Sequence, residues 1–213
     1  GAFEDIVDEL QACEDAGKKA FVMGHIPPIS GSTLLPWGLA FAQIVERYNE
    51  TIMGTFTGHT HTDEFAVYYD LASWTQPQSV AYVAPSVTTR ADKNPAMRIY
   101  EVDEATAIIV DHVTHHMLLP EANAAGVANF HEFYRASTAY DLPTLEPIGW
   151  ANLAGSFIRN QSAADTYQRL YKGGLPYDPC GFACAQDLLY EIQLQKMDIV
   201  GAYRDARKAI AEK

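Results

Sequence analysis

Three histidines stand directly after two predicted strands of this chain. Gly24-His25 follows an apolar run at 20–23, and Gly58-His59-Thr60-His61 follows a second apolar run at 52–57. Sites in α/β proteins are usually built at the carboxyl ends of strands, so we expect the three imidazoles at one sheet edge. Two histidines spaced i, i+2 can face the same side of an extended segment. The pattern predicts a metal site, and the alternative is hydrogen bonding of these rings to nearby carbonyls.

The segments around these histidines alternate between helices and short strands. Apolar residues recur at helical spacing over 4–16 and over 37–48, and each of these segments precedes one of the two apolar runs. Helices that alternate with short apolar strands are typical of layered α/β domains. We therefore predict an α/β fold in which the helices position the strands that carry the histidines.

The pattern changes after residue 64. Four runs between residues 65 and 113 predict consecutive strands that pair as antiparallel neighbours. From Pro120 onward the spacing predicts helices, which span 130–140, 149–159, 163–172, 183–197 and 199–211. We expect the last of these to be a solvated covering helix. The four other histidines are expected to be strand or helix residues with surface hydrogen bonds: His112, His115, His116 and His131.

Composition excludes several classes of partner. The chain has 213 residues, of which 48% are hydrophobic, and 27 acidic side chains outnumber 15 basic ones to give a net charge of −12. This charge opposes binding in a basic nucleic-acid groove or on an anionic membrane. The longest apolar run, 33–44, is interrupted and shorter than the roughly 20 residues of a membrane span. We therefore expect neither a nucleic-acid groove nor a transmembrane segment.

Cysteines and sequons bear on the compartment. Cys180 and Cys184 are four residues apart, which on one helical turn gives a Cα separation of roughly 6 Å that allows a disulfide. The alternative is a pair of reduced thiols, and Cys13 is then either free or paired outside this chain. Sequons at Asn49 and Asn160 predict N-glycosylation. Together these features favour a secreted or lysosomal protein.

Longer motifs extend beyond the histidines. They are Gly24-His25-Ile26-Pro27-Pro28, Gly58-His59-Thr60-His61-Thr62-Asp63-Glu64-Phe65, Ala84-Pro85-Ser86-Val87-Thr88-Thr89 and Asn94-Pro95. With these motifs the chain resembles the second half of the acid sphingomyelinase-like phosphodiesterases, which belong to the calcineurin-like metallophosphoesterase superfamily. The resemblance continues through residues 134–135, 140–143, 171–173 and 179–184, and so covers nearly the whole chain.

The resemblance implies a fold and a metal centre. Residues 1–118 would form the C-terminal half of a four-layer αββα metallophosphoesterase sandwich, and residues 119–213 a helical C-terminal subdomain. Two divalent ions, most simply Zn²⁺, would be bound, with His25 and His59 on one ion and His61 on the other. The family's other ligands are an Asp-x-His, a bridging Asp and an Asn-His.

None of those other ligand motifs occurs in this sequence. Three neutral imidazoles cannot hold two cations about 3.5–4 Å apart without carboxylate charge between them. We therefore expect an N-terminal fragment of the same enzyme to donate the remaining ligands. No residue of this chain is assigned as the general acid, because in the family that histidine belongs to the missing Asn-His segment.

The predicted activity is metal-dependent hydrolysis of sphingomyelin or a related phosphodiester. One alternative is a catalytically inactive family member that serves as an interaction or structural subunit. Another is a mononuclear three-histidine zinc hydrolase complete within this chain.

Four further residues are candidates for roles around the site. Asp63 and Glu64 adjoin the metal loop, where they would either orient a ligand imidazole or cap the following strand. Arg90 and Asn94 lie in a loop that resembles the border of the substrate cleft. A tyrosine stands at the position of Arg90 in the sphingomyelinases. An arginine there would either pair with a phosphate, favouring a more anionic substrate, or be surface charge.

Overall fold

The computed structural model describes residues 1–28, 30, 32–90, 93–189, 191 and 192. The predicted helix at 199–211 lies outside the described residues. Of the predicted helix at 183–197, only residues 183–189, 191 and 192 are described. Residues 182–189 are helical. In chain order the remaining elements are α1 (Ala2–Asp15), β1 (Ala20–Met23), α2 (Leu35–Arg47), β2 (Ile52–Thr57), β3 (Glu64–Tyr69), β4 (Pro77–Val83), β5 (Ala96–Val102), β6 (Ile109–His116), α3 (Leu119–Ala125), β7 (His131–Arg135), α4 (Ala136–Ala139), α5 (Pro147–Ser156) and α6 (Gln161–Tyr171).

The strands form two sheets. In the first sheet the order is β1-β2-β4-β3, and β1, β2 and β4 run parallel while β3 is antiparallel to β4. The second sheet has the order β5-β6-β7 and is antiparallel. The predicted antiparallel pairs are therefore confirmed for β3 with β4 and for β5 with β6. However, β4 and β5 are not neighbours, because the chain passes from one sheet to the other between them.

One predicted helix is wrong. Residues 130–140 form the strand β7 and the one-turn helix α4, which begins at Ala136. The aromatic pair Phe133-Tyr134 favours a strand, and pairing of β7 with β6 supplies the hydrogen-bond ladder. A strand from the C-terminal part thus completes a sheet begun before residue 118. The division into 1–118 and 119–213 stays a prediction.

Two apolar cores define the layers. On one face of the first sheet, α1 and α2 contribute Leu10, Phe41 and Val45 to a core that also contains Tyr68 of β3. The other face packs on the second sheet, where the ring centroids of Phe56 and Tyr100 are 4.6 Å apart. The result is a mixed α/β arrangement, in which α1 and α2 pack on one face of the first sheet and the second sheet packs on its other face.

The helices α5 and α6 pack against the same core between the sheets. Trp150 is 1% exposed, and its Nε1 donates to the hydroxyl of Tyr82, 3.2 Å away. Gly149 lies beside it, and a Cβ at this position would approach the carbonyl oxygen of Thr144 to 2.1 Å. Only glycine fits this contact. The close approach of α5 to the preceding loop therefore requires Gly149.

The predicted disulfide between Cys180 and Cys184 is present. Cys180 is fully buried, and its backbone is tied to α6 because its N–H donates to Oδ1 of Asp165 at 2.6 Å. Cys13 is a half-buried free thiol. Within the described ranges, no helix combines the length and the apolar character needed to cross a membrane.

Candidate metal site

His25 and His59 lie side by side at the carboxyl edge of the first sheet. Since β1 and β2 are parallel neighbours, both strands end at this edge. Their pairing continues one step further, because the N–H of Gly58 donates to the carbonyl of His25 at 3.0 Å. Nε2 of His25 and Nδ1 of His59 are consequently 3.3 Å apart. The expectation that these two imidazoles share one sheet edge is met.

The turn that carries His59 and His61 has an unusual backbone. Both residues have positive φ angles, 73° for His59 and 62° for His61. Residues other than glycine rarely adopt this left-handed conformation, which costs on the order of 1–3 kcal/mol and recurs at functional sites. The segment is therefore not extended, and the expectation that strand alternation aligns the two rings is wrong.

His61 lines a small cavity together with Asp63, Lys93, Asn94 and Tyr171, and His25 and His59 are not among the residues that line it. In the part of the chain that the structure describes, no group of three His, Cys, Asp or Glu side chains is arranged to hold a metal ion. The metal site itself stays a prediction.

Asp63 anchors the loop instead of contacting an imidazole. Its carboxylate is buried, forms an ion pair with Arg98 and accepts hydrogen bonds from the hydroxyl of Tyr134 at 2.8 and 2.9 Å. Thr114 donates a weaker bond of 3.3 Å. Burial alone would lower the pKa of Arg98, but the charge of Asp63 outweighs it and raises that pKa well above its usual value.

Sequence reasoning missed this network because it did not single out Arg98. The signal was available in strand β5, where Met97 and Ile99 are exposed and Arg98 and Tyr100 alternate with them toward the interior. A charged side chain on the inward face of a strand needs a buried partner. Asp63 is that partner.

Glu64 begins β3 and accepts a hydrogen bond from the hydroxyl of Thr62. Burial raises its pKa to about 7, and the negative charge of Glu191 acts in the same direction, whereas Lys93 opposes it. A carboxyl group with this pKa changes its charge near neutral pH. Glu64 thus makes the environment of the histidine turn sensitive to pH.

The residues of the loop predicted to border the cleft differ in exposure and in their contacts. Arg90 is exposed. Asn94 is buried, and its amide connects two backbone segments, accepting from the N–H of Leu119 at 3.1 Å and donating to the carbonyl of Gly173. Lys93 lies half-buried with its Nζ 5.1 Å from the ring centre of Tyr171. Lys93 is therefore a cation beside His61 that sequence reasoning did not single out.

The expectation of a surface position is wrong for His116, which is 6% exposed, and for His112. His112 is 1% exposed, and its ring is parallel to that of Trp150 at a centroid distance of 5.9 Å. Burial lowers the pKa of His112 well below its usual value, and the charge of Arg98 acts in the same direction. An uncharged imidazole packs like an aromatic side chain, which explains why a histidine is found in the core.

The two sequon asparagines differ in their surroundings. Asn160 is exposed, and its Oδ1 accepts from the N–H of Ala163 as the N-cap of α6. Asn49 is half-buried, and its Nδ2 donates to Oε1 of Gln78. The acceptor nitrogen of Asn160 is therefore the more accessible of the two. Glycosylation at both positions stays a prediction.

Comparisons with known proteins identify relatives of this chain. Residues 73–178 match the family model described as the acid sphingomyelin phosphodiesterase C-terminal region. Sphingomyelin phosphodiesterase of Bos taurus is 41% identical over 190 residues, which are 86% of this chain and 30% of the relative. The Homo sapiens protein of the same name is 39% identical over equal shares, and sphingomyelin phosphodiesterase B of Dictyostelium discoideum is 36% identical over 88% of this chain and 31% of the relative.

The chain spans about a third of the length of these curated relatives. The match to the C-terminal region covers residues 73–178, and the identities of 36–41% extend over most of the chain. The chain therefore belongs to the acid sphingomyelin phosphodiesterase family and matches the C-terminal part of its members.

Proposed function

We propose that this chain is the C-terminal part of a metal-dependent hydrolase that cleaves sphingomyelin or a related phosphodiester. Two divalent ions, most simply Zn²⁺, would be shared with ligands on an N-terminal portion of the same enzyme. The observation that carries this proposal is the 3.3 Å separation between Nε2 of His25 and Nδ1 of His59. The names of the relatives support the choice of substrate.

The donor set fits a shared metal ion. Zinc binds imidazole nitrogens at about 2.0–2.1 Å, so two ligands on one tetrahedral ion are about 3.3 Å apart. His25 and His59 would hold one ion, and His61 would bind the other. Only neutral ligands are available from these three residues, which supports the need for carboxylates from elsewhere in the enzyme.

Two exposed surfaces support completion of the fold by further polypeptide. β1 is an edge strand of the first sheet, and Met23 in it is 82% exposed. On the second sheet Ile99 and Val110 are 54% and 50% exposed. Unpaired edges and apolar sheet faces are normally covered. We propose that the N-terminal portion covers them and completes the four-layer αββα sandwich.

The reaction would use residues of this chain in defined ways. When bound, the metal ions supply Lewis-acid activation of the phosphoryl group and of the attacking water. His25, His59 and His61 position them, and the buried pair of Asp63 with Arg98 fixes the turn. Lys93, beside His61, would add positive charge near the phosphoryl oxygens.

A secreted or lysosomal location accompanies this proposal. The disulfide between Cys180 and Cys184 is of a kind that persists in oxidising compartments. The sequons at Asn49 and Asn160 would then carry glycans. A mass spectrum of protein from a secretory expression host, before and after glycosidase treatment, tests this part of the proposal.

The activity is tested by hydrolysis of sphingomyelin in detergent micelles. The protein assayed is the enzyme that contains this chain together with its N-terminal portion. His59→Ala is expected to reduce kcat/KM at least about 10-fold, because loss of a direct ligand costs no less than loss of a residue that orients one. Glu132→Gln, at an exposed position of strand β7, is the control and should leave the rate unchanged.

Two outcomes would overturn the proposal. If the full enzyme hydrolyses neither sphingomyelin nor a simple phosphodiester, the chain belongs to an inactive interaction subunit. If the 213-residue chain alone hydrolyses phosphodiesters at the rate of the full enzyme, the site is a three-histidine centre complete in this chain.

A further inference from the structure

Two histidines outside the predicted metal-ligand set converge on the second sheet. His116 ends β6 and His131 begins β7, and the two residues are direct partners in the antiparallel ladder. Their Nε2 atoms are 3.1 Å apart, and the ring centroids are separated by 4.7 Å. The Nε2 atoms of the two rings are thus close enough to contact the same ion.

One ring of this pair is held in place and the other is open to solvent. Phe133 stacks on His116 with centroids 4.1 Å apart and an interplanar angle of 15°. The backbone at Gly174 lies on another side, where a Cβ would be 3.6 Å from Cε1 of His116. His116 is 6% exposed, whereas His131 is exposed. An ion from solvent can therefore approach a preoriented nitrogen past an exposed partner side chain.

We propose that His116 and His131 form an accessory metal site that binds one Zn²⁺ or Cu²⁺ ion through their Nε2 atoms. With metal–nitrogen bonds of about 2.0–2.1 Å, two nitrogens at angles between about 90° and 110° are about 2.9–3.4 Å apart. The observed 3.1 Å lies within this range. Imidazole suits both ions, and the Irving–Williams order predicts tighter binding of Cu²⁺.

The surroundings favour a cation at this position. Burial and the neighbouring His131 lower the pKa of His116, which favours the neutral ring that can donate a lone pair, while a hydrogen bond with the backbone of Gly173 and the charge of Glu121 act in the opposite direction. The net charge of the chain is −12, which raises the local concentration of cations. No third protein ligand is present among the described residues. Water molecules would therefore complete the coordination.

In the absence of an ion the two rings share one hydrogen bond, in which one Nε2–H donates to the other Nε2. A bound ion replaces that proton and ties the end of β6 to the start of β7. Because only the folded chain brings the two strands together, binding should raise the unfolding temperature.

The test uses the enzyme that contains this chain and its N-terminal portion, in a variant in which His25, His59 and His61 are all alanine. Calorimetric titration with CuSO₄ and with ZnCl₂ at pH 7 should detect one ion whose binding depends on His131. Adding His131→Ala to this variant should weaken binding at least about 10-fold. Adding Glu132→Gln, at the next exposed position, is the control and should leave the affinity unchanged.

Thermal unfolding of the unsubstituted chain gives a second readout that does not depend on the triple variant. Zn²⁺ should raise the unfolding midpoint of the unsubstituted chain more than that of His131→Ala. The proposal is overturned if the triple variant binds no ion, or if His131→Ala leaves both the affinity and the zinc-induced shift unchanged. Neither outcome bears on the proposed hydrolase site, because the titration is made after its three histidines are removed.

Discussion

Arg98 donates from Nη2 to the carboxylate of Asp63, and this buried ion pair connects the second sheet to the turn that carries His59 and His61. Arg98 is in the middle of β5, and Asp63 is two residues beyond His61. Tyr134 of β7 donates to the same carboxylate. The position of the histidine turn thus depends on contacts from two strands of the other sheet.

Replacement of Arg98 should destabilise the protein strongly. Arg98→Met leaves the carboxylate of Asp63 buried without its cation, which typically costs about 3–5 kcal/mol of unfolding free energy. Urea unfolding monitored by fluorescence measures this loss. Arg47→Met is the control, because Arg47 is 55% exposed in its pair with Glu14, and its effect should be much smaller.

Neutralisation of both members of the buried pair gives a sharper test. The double variant with Arg98→Met and Asp63→Asn should recover part of the stability lost by Arg98→Met, since no unpaired charge remains. Losses that simply add in the double variant would show that the two side chains are not coupled.

Glu64 should make stability fall as the pH rises through neutrality. Its pKa is raised to about 7 from 4.5, so the folded state binds the proton more tightly than the unfolded state does. The stabilisation that comes from proton binding at Glu64 is fully present below pH 4.5 and is lost as the pH rises to about 7. Over this range the free energy of unfolding falls by up to about 3 kcal/mol. Glu64→Gln should therefore flatten the decline in urea midpoint between pH 4.5 and 8. If the decline is equally steep in the variant, Glu64 is not its source.

His112 should have the opposite effect on the acid side. Burial lowers its pKa in the folded state, so the unfolded state binds the proton more tightly, and stability is lost as the pH falls below about 6.5. His112→Phe should retain packing against Trp150 and should resist unfolding at pH 4.5 better than the unsubstituted chain. The buried Nδ1 of His112 has no hydrogen-bond partner among the described residues, so His112→Phe removes no hydrogen bond of this atom. An unchanged acid sensitivity would contradict the assignment.

The strands around the histidines could be predicted from sequence because their patterning is local. The predicted spans 20–23 and 52–57 match β1 and β2, and the glycines that follow both strands marked the sheet edge. The disulfide was likewise accessible, since a spacing of four residues brings Cys180 and Cys184 within reach of each other.

What the sequence did not reveal depends on contacts between distant segments. β7 was predicted as a helix because its pairing with β6 cannot be derived from the residues of β7 alone. The positive φ angles of His59 and His61 belong to a turn that strand alternation does not predict. Asp63 and Arg98 are 35 positions apart in the sequence, so their contact depends on how the two sheets pack and not on local pattern.

The central claim is that His25, His59 and His61 hold half of a two-ion centre. Its most direct test is the zinc content of the enzyme containing this chain and its N-terminal portion, measured by plasma mass spectrometry after dialysis. The measurement is made with His131→Ala, so that the accessory site does not contribute. We predict two zinc ions per polypeptide, and fewer when His25 and His59 are both replaced by alanine. A content well below one ion, or one that is unchanged by these replacements, would contradict the account.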